Sequence, residues 1–232
     1  MIVRERQDSF LLFGQHEHAL ASGEFARWWN ADIKARDATL FAIANHDLAW
    51  RPLDRDILWD EERDRPYSFV DYPVEEKLRA YTAGLDELEG LNFYAACLCS
   101  MHYETLARRF GKSAADARFA EDETRRQEGL RRGMSEEERD SLERNLRLLK
   151  LCDGLSLFVC LNEPGALDRP PPYPGGFELW GGRYEPVWED ERTLRLEPNS
   201  FTGTFEIGLP YREVGRDRRL LESNVLKVRV TC

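Results

Sequence analysis

Histidine is scarce in this chain. Its 232 residues hold only four, at His16, His18, His46 and His102. Cysteine is also sparse: Cys97, Cys99, Cys152, Cys160 and Cys232 make an odd number, with no C-x-x-C spacing. That argues against a disulfide scaffold and favours buried free thiols in a reducing cytoplasm. No apolar run approaches the ~20 residues that span a bilayer, and MIVRERQDSF carries no apolar signal core. The expectation is a soluble cytoplasmic protein without a membrane partner. Positive charge is in deficit as well, since the formal net charge is −10. Sequence-independent binding of DNA or RNA needs a clustered basic surface, so nucleic acid is not an expected partner. A small anionic substrate stays open, because a local pocket can be positive on an acidic protein. There is no G-x-x-x-x-G-K-[ST], no G-x-G-x-x-G after a strand, no G-x-S-x-G elbow and no internal repeat.

What is present is 42% hydrophobic and 33% charged residues, a globular composition. Periodicity predicts a short strand at MIVRE, a lead-in at SFLLFGQ, and helices over about 15–30 and 37–50. A long ordered loop follows over about 51–73, rich in proline, charge and aromatics; loops of that length often cover a site. Further helices end at Gly90 and Gly111, and the charged segment KSAADARFAEDETRRQEGLRRG reads as a solvated helix or an excursion. A long helix starts at Ser135, whose partner Glu138 completes a capping box, and runs to about Cys160. NEPGALDRPPPYPGG breaks the helical pattern, and FELWGG, RTLRLEP, TFEIGLP and VLKVRV read as strands. The expected fold is therefore mainly α, a helical body over 1–162 and a Pro/Gly linker with a small β-rich subdomain over 163–232.

Within this pattern, FAIANHDLAW places His46 and Asp47 side by side in an apolar stretch. Burying that pair is costly unless each finds a partner, which can be a hydrogen bond, a catalytic neighbour or a metal ion. His16 and His18 are two apart and face opposite sides of a helix; the stripe His18, Ser22, Phe25, Trp29 is the more apolar, which makes His18 the inward residue. His102 lies on an apolar stripe between Leu98 and Leu106, where a histidine bonded to a carbonyl is the bland alternative. Asp153 interrupts the run Leu142, Leu146, Leu149, Leu157, Cys160, and needs an arginine, a helix terminus or a cation. Cys99 and His102, three apart, allow a nucleophile pair by spacing alone. Together His18, His46, Asp47 and Asp153 form a mixed N/O donor set suited to iron, manganese, zinc, nickel or cobalt. Adjacent donors at 46 and 47 require a local bend in the backbone.

That order, a histidine on an early helix, an adjacent His-Asp pair and a late aspartate, resembles the HD-domain superfamily of metal-dependent phosphohydrolases. MIVRE, QHEHALASGEFA, AIANHDLAW, SMHYETL and CDGLSLFVC also resemble an uncharacterised bacterial family without an assigned activity. The superfamily resemblance implies an HD-like helical bundle in which His18, His46, Asp47 and Asp153 hold a divalent metal. Asp47 would serve catalysis, His102 would support the site or contact substrate, and Arg51 would contact phosphate. It implies a hydrolase acting on a phosphate ester or anhydride, nucleotides included. The alternatives are a di-iron oxygenase on the same scaffold, or a non-catalytic protein with a vestigial His-Asp site. The histidines are fewer than two-metal HD enzymes generally show, and the β-rich C-terminal part lies outside the common HD core.

Overall fold

The strand expected at MIVRE is present, but it belongs to a sheet far larger than the sequence suggests. A computed structural model describes residues 1–166 and 176–232. Strands β1 (Ile2–Glu5) and β2 (Ser9–Phe13) form an antiparallel hairpin, and β2 pairs in turn with β8 (Phe205–Gly215), setting Phe13 opposite Tyr211. β2 reads SFLLF and is buried along its whole length, so it shows none of the alternation that marks a half-exposed strand. This is why the sequence shows it only as a lead-in. Chain ends about 200 residues apart thus join one seven-stranded sheet, in the order β1-β2-β8-β9-β7-β6-β5. Its other members are β5 (Phe177–Leu179), β6 (Gly182–Trp188), β7 (Thr193–Glu197) and β9 (Leu220–Thr231). All neighbours are antiparallel except β7 and β9, which run parallel.

The protein is therefore an α/β fold, not an all-α HD-like bundle with a small β subdomain. Pairing partners so remote in sequence leave no local signal, and that is the physical source of the error. β8 continues through Pro210 because β2 begins to pair only at Tyr211, so the proline has a strand on one side alone. The β5–β6 hairpin turns at Trp180 and Gly181, both with positive φ, which gives Gly181 its turn role. The reading of 167–175 as a proline-rich linker, with Gly175, lies outside the described residues.

Among the described residues, six α-helices make up the other layer: α1 (Gln15–Arg27), α2 (Arg36–Asn45), α3 (Val74–Leu91), α4 (Phe93–Phe110), α5 (Ala114–Arg131) and α6 (Glu136–Leu161). The charged segment of the chain is α5, fixed at its start by a Ser113/Asp116 capping box; α6 starts with the Ser135/Glu138 box. Both edge strands of the sheet, β1 and β5, touch α6, so the sheet curls around that helix. At Gly154 a Cβ would stand 2.3 Å from the Phe177 ring; the missing side chain lets β5 close on α6 beside Asp153. One apolar core runs through helices and sheet, from Phe13 and Phe25 to Leu155, Ile207 and Val230. In the 51–73 segment, strands β3 (Trp59–Asp60) and β4 (Arg65–Pro66) pair, and Asp54 accepts the Gln15 backbone N–H at 2.6 Å at the start of α1. Among the described residues, no helix is long and apolar enough to cross a membrane.

Candidate metal centre

α2 is expected to reach residue 50 and stops at Asn45. His46 keeps a helical backbone, Asp47 turns to φ −113°, ψ 25°, and a single 3-10 turn follows over Leu48–Trp50. This break supplies the bend that two adjacent inward side chains require. It is held from both sides by close backbone approach. A Cβ on Gly23 of α1 would sit 2.7 Å from Ala44 Cβ, and one on Gly84 of α3 would sit 2.5 Å from Ala49 Cβ. Only glycine admits those separations.

His18, His46, Asp47 and His102 are buried, and Asp153 is the most accessible of the five, its side chain 16% exposed. His16 is only partly buried. His18 Nε2 lies 3.0 Å from Asp47 Oδ2 and 4.0 Å from Asp153 Oδ1. His46 Nε2 lies 3.9 Å from Asp47 Oδ2 and 3.6 Å from Asp153 Oδ1. His102 Nε2 stands 3.7 Å from Asp153 Oδ2. The structure thus brings His102 together with the four residues of the expected donor set. They form two overlapping groups able to hold a metal ion, His18–His46–Asp47 and His46–His102–Asp153. Arg51 is elsewhere: its side chain is 56% exposed and faces Glu87 at 3.8 Å. Cys99 donates its S–H to the Ala42 carbonyl and burial drives its thiol far above the ordinary range, which leaves no activated Cys–His pair. All five cysteines are free.

Supporting residues orient these groups. His46 Nδ1 lies 2.8 Å from the Ile43 carbonyl and so carries a hydrogen, which directs Nε2 into the cluster. Nε2 is buried without a hydrogen-bond partner. Ser156 donates to the Asp153 carbonyl, so its oxygen accepts from His18 Nδ1–H at 2.7 Å, and His18 Nε2 likewise points inward. Asp47 accepts from Gln15 Nε2 at 3.0 Å and from the Tyr103 hydroxyl at 3.3 Å. Tyr103 is itself stacked on Tyr81 at 3.9 Å. Gln15 and Ser156 were missed from sequence, although each lies three residues from an expected donor, Gln15 before His18 and Ser156 after Asp153, at helical same-face spacing.

The charges in the cluster are strongly coupled. Burial opposes ionisation of Asp153, but His46, His102 and His18 outweigh it and hold the carboxyl down at about 2. Asp47 is lowered in the same way, against its burial, by His46 and His18. Burial works against a charged His46 too, yet Asp47 and Asp153 overcome it and lift its pKa to about 9. For His102 burial prevails over Asp153 and pushes the pKa down to about 4.

A cation fits this arrangement. Donors held about 2.0–2.2 Å from one centre stand roughly 3–4 Å apart, the spacing seen here. The 3.6 Å between His46 Nε2 and Asp153 is too long for a hydrogen bond. Three of the donors, His18, His46 and Asp47, are oriented by an outer partner, as metal ligands commonly are.

The match to known families extends beyond this cluster. The family described as "Protein of unknown function (DUF3891)" matches residues 1–216. The chain belongs to this family. The match spans α1–α6 and every strand of the sheet except β9, so the five clustered residues all fall within it. No curated protein and no solved structure shows significant similarity to the chain.

Proposed function

We propose that the protein is a divalent-metal-dependent phosphohydrolase acting on a phosphate ester or anhydride. The observation that carries this reading is the buried, unpartnered Nε2 of His46, aimed between two carboxylates while Nδ1 is committed to Ile43. His18, His46, Asp47 and Asp153 would hold the ion, in the order that resembles the HD-domain superfamily. When bound, a divalent ion supplies Lewis-acid charge and lowers the pKa of water. Asp47 anchors the donor set through Gln15 and Tyr103. His102 stays neutral at physiological pH and keeps a buried Nδ1 without a partner, which suits it to hydrogen-bond a substrate or a nearby water.

The same geometry favours one ion over two. His46 has a single free nitrogen, and both donor groups depend on it. One lone pair cannot serve two metals, so the two groups cannot be filled together. The di-iron alternative needs that second full set.

Elemental analysis of the purified protein tests the reading directly. Near-stoichiometric iron, manganese, zinc, nickel or cobalt is expected, with hydrolysis of p-nitrophenyl phosphate that follows metal content. Metal-free protein, even after reconstitution, would end it. Chelator should lower the melting temperature. An ion present at 100 times its Kd adds about 2.7 kcal/mol, or about 5–10 °C at this chain length. An unchanged melt in chelator would show that no native-state ion was lost.

Binding should also expel a proton. Without an ion His46 is protonated at pH 7.5, because its pKa is about 9, and its nitrogen must deprotonate to become a ligand. Calorimetry in buffers of different ionisation enthalpy should report release of about one proton per ion. A heat independent of buffer would contradict the role given to His46.

A further inference from the structure

We infer that Lys150 and Thr105 form an anion-recognition pair beside the metal centre, placed to take a phosphoryl group of the substrate. The inference rests on the metal-centre reading above and adds the groups that would select the substrate. Lys150 lies three residues before Asp153 on α6, and Thr105 lies three residues after His102 on α4. The two helices pack together. Along their seam, the His102–Asp153 approach at 3.7 Å and the Lys150–Thr105 hydrogen bond at 3.2 Å are successive rungs. The rise between rungs is about 4.5 Å on each helix, roughly the reach of a phosphate group.

The pair is built for an incoming anion. The Thr105 hydroxyl donates to the Met101 carbonyl at 2.8 Å, so its lone pair faces Lys150. This uses one of the three ammonium donors, and two remain. Among the described residues Lys150 makes no ion pair, although it is half-buried. A partly desolvated cation with no carboxylate at ion-pair distance is incompletely compensated. Arg109 and Arg147, both exposed and also without an ion pair among the described residues, lie in its electrostatic surroundings with Glu143 and Glu104. With Lys150, these are three cations against two carboxylates, a slight local positive excess on a chain of net charge −10, one helical turn from the most accessible carboxylate of the metal cluster.

The test is titration of inorganic phosphate into wild type, Lys150→Met and Lys150→Arg, each loaded with manganese(II) and each stripped, with metal content measured in parallel. Methionine matches the aliphatic stem, so folding should persist and equal melting curves would confirm it. The loaded Lys150→Met protein should bind phosphate about tenfold more weakly or worse, the scale of one lost charged hydrogen bond. Lys150→Arg should fall between, and all three proteins should hold equal metal. Phosphate affinity unchanged in Lys150→Met, or no phosphate binding by wild type, would overturn the inference. If wild type holds no metal, the metal reading fails separately. In that case, Lys150-dependent phosphate binding by the stripped protein would still uphold the pair, and Lys150-independent binding would overturn it.

Discussion

An Asp47→Ala protein will lose its metal. Asp47 Oδ2 approaches both His18 and His46, so the substitution removes one of the two carboxylates that face these imidazoles, and the one nearer His18. Outer partners of metal ligands are already worth about 10–100-fold in affinity, so loss of the ligand itself should cost about 100-fold or more. The fold should suffer too. Gln15 Nε2 and the Tyr103 hydroxyl lose a buried acceptor, and the imidazoles lose a counter-charge. Breaking a buried charge pair from one side costs about 3 kcal/mol or more, which at this length is about 6–12 °C in melting temperature. Asp47→Asn separates the two effects. It restores an acceptor of the same shape without the charge, so it should recover part of the stability and none of the metal. Wild-type metal content in Asp47→Ala would remove Asp47 from the site.

Gly84→Ala should disable the same centre without touching a donor. Its new Cβ would lie 2.5 Å from Ala49 Cβ and 2.6 Å from Ala49 Cα, and the second of these is backbone that cannot rotate away. Ala49 belongs to the 3-10 turn that directly follows His46 and Asp47. Either α3 or that turn must move. Overpacking of this kind costs about 1–3 kcal/mol, or about 2–12 °C, and metal affinity should fall with it. Gly90→Ala on the same helix is the control. Nothing lies within 4 Å of its added Cβ, so stability should hold or rise by up to about 1 kcal/mol. If Gly84→Ala melts and binds metal like wild type, the helix contact does not position the His-Asp turn.

Much of this site can be read along the chain. The stripe through His18, Ser22 and Phe25 sets His18 inward, and His18 is buried while His16 is partly exposed. Asp153 stands out because one carboxylate breaks a run of leucines. The Ser135/Glu138 capping box marks the start of α6 at the level of four residues. These signals are local: a cap, a three-to-four spacing, a polar residue on an apolar face. Each depends on contacts within a turn or two, and so it survives in a one-dimensional pattern.

Only the tertiary structure decided the rest. The fully buried SFLLF strand shows no alternation, and its partner β8 is about 200 residues away. No window of sequence contains that pairing, and the α/β character of the fold goes unseen without it. The resemblance assigned His102 to the site, but its partner there was hidden. On its own helix it is a histidine on an apolar stripe; it joins Asp153 because α4 and α6 pack side by side. The break after Asn45 depends on Gly23 and Gly84 admitting α1 and α3 to within touching distance of α2 and its turn. Sequence by itself determined which residues seek a buried partner. Which partner each one meets was settled by long-range packing, because that choice depends on contacts between segments far apart in the chain.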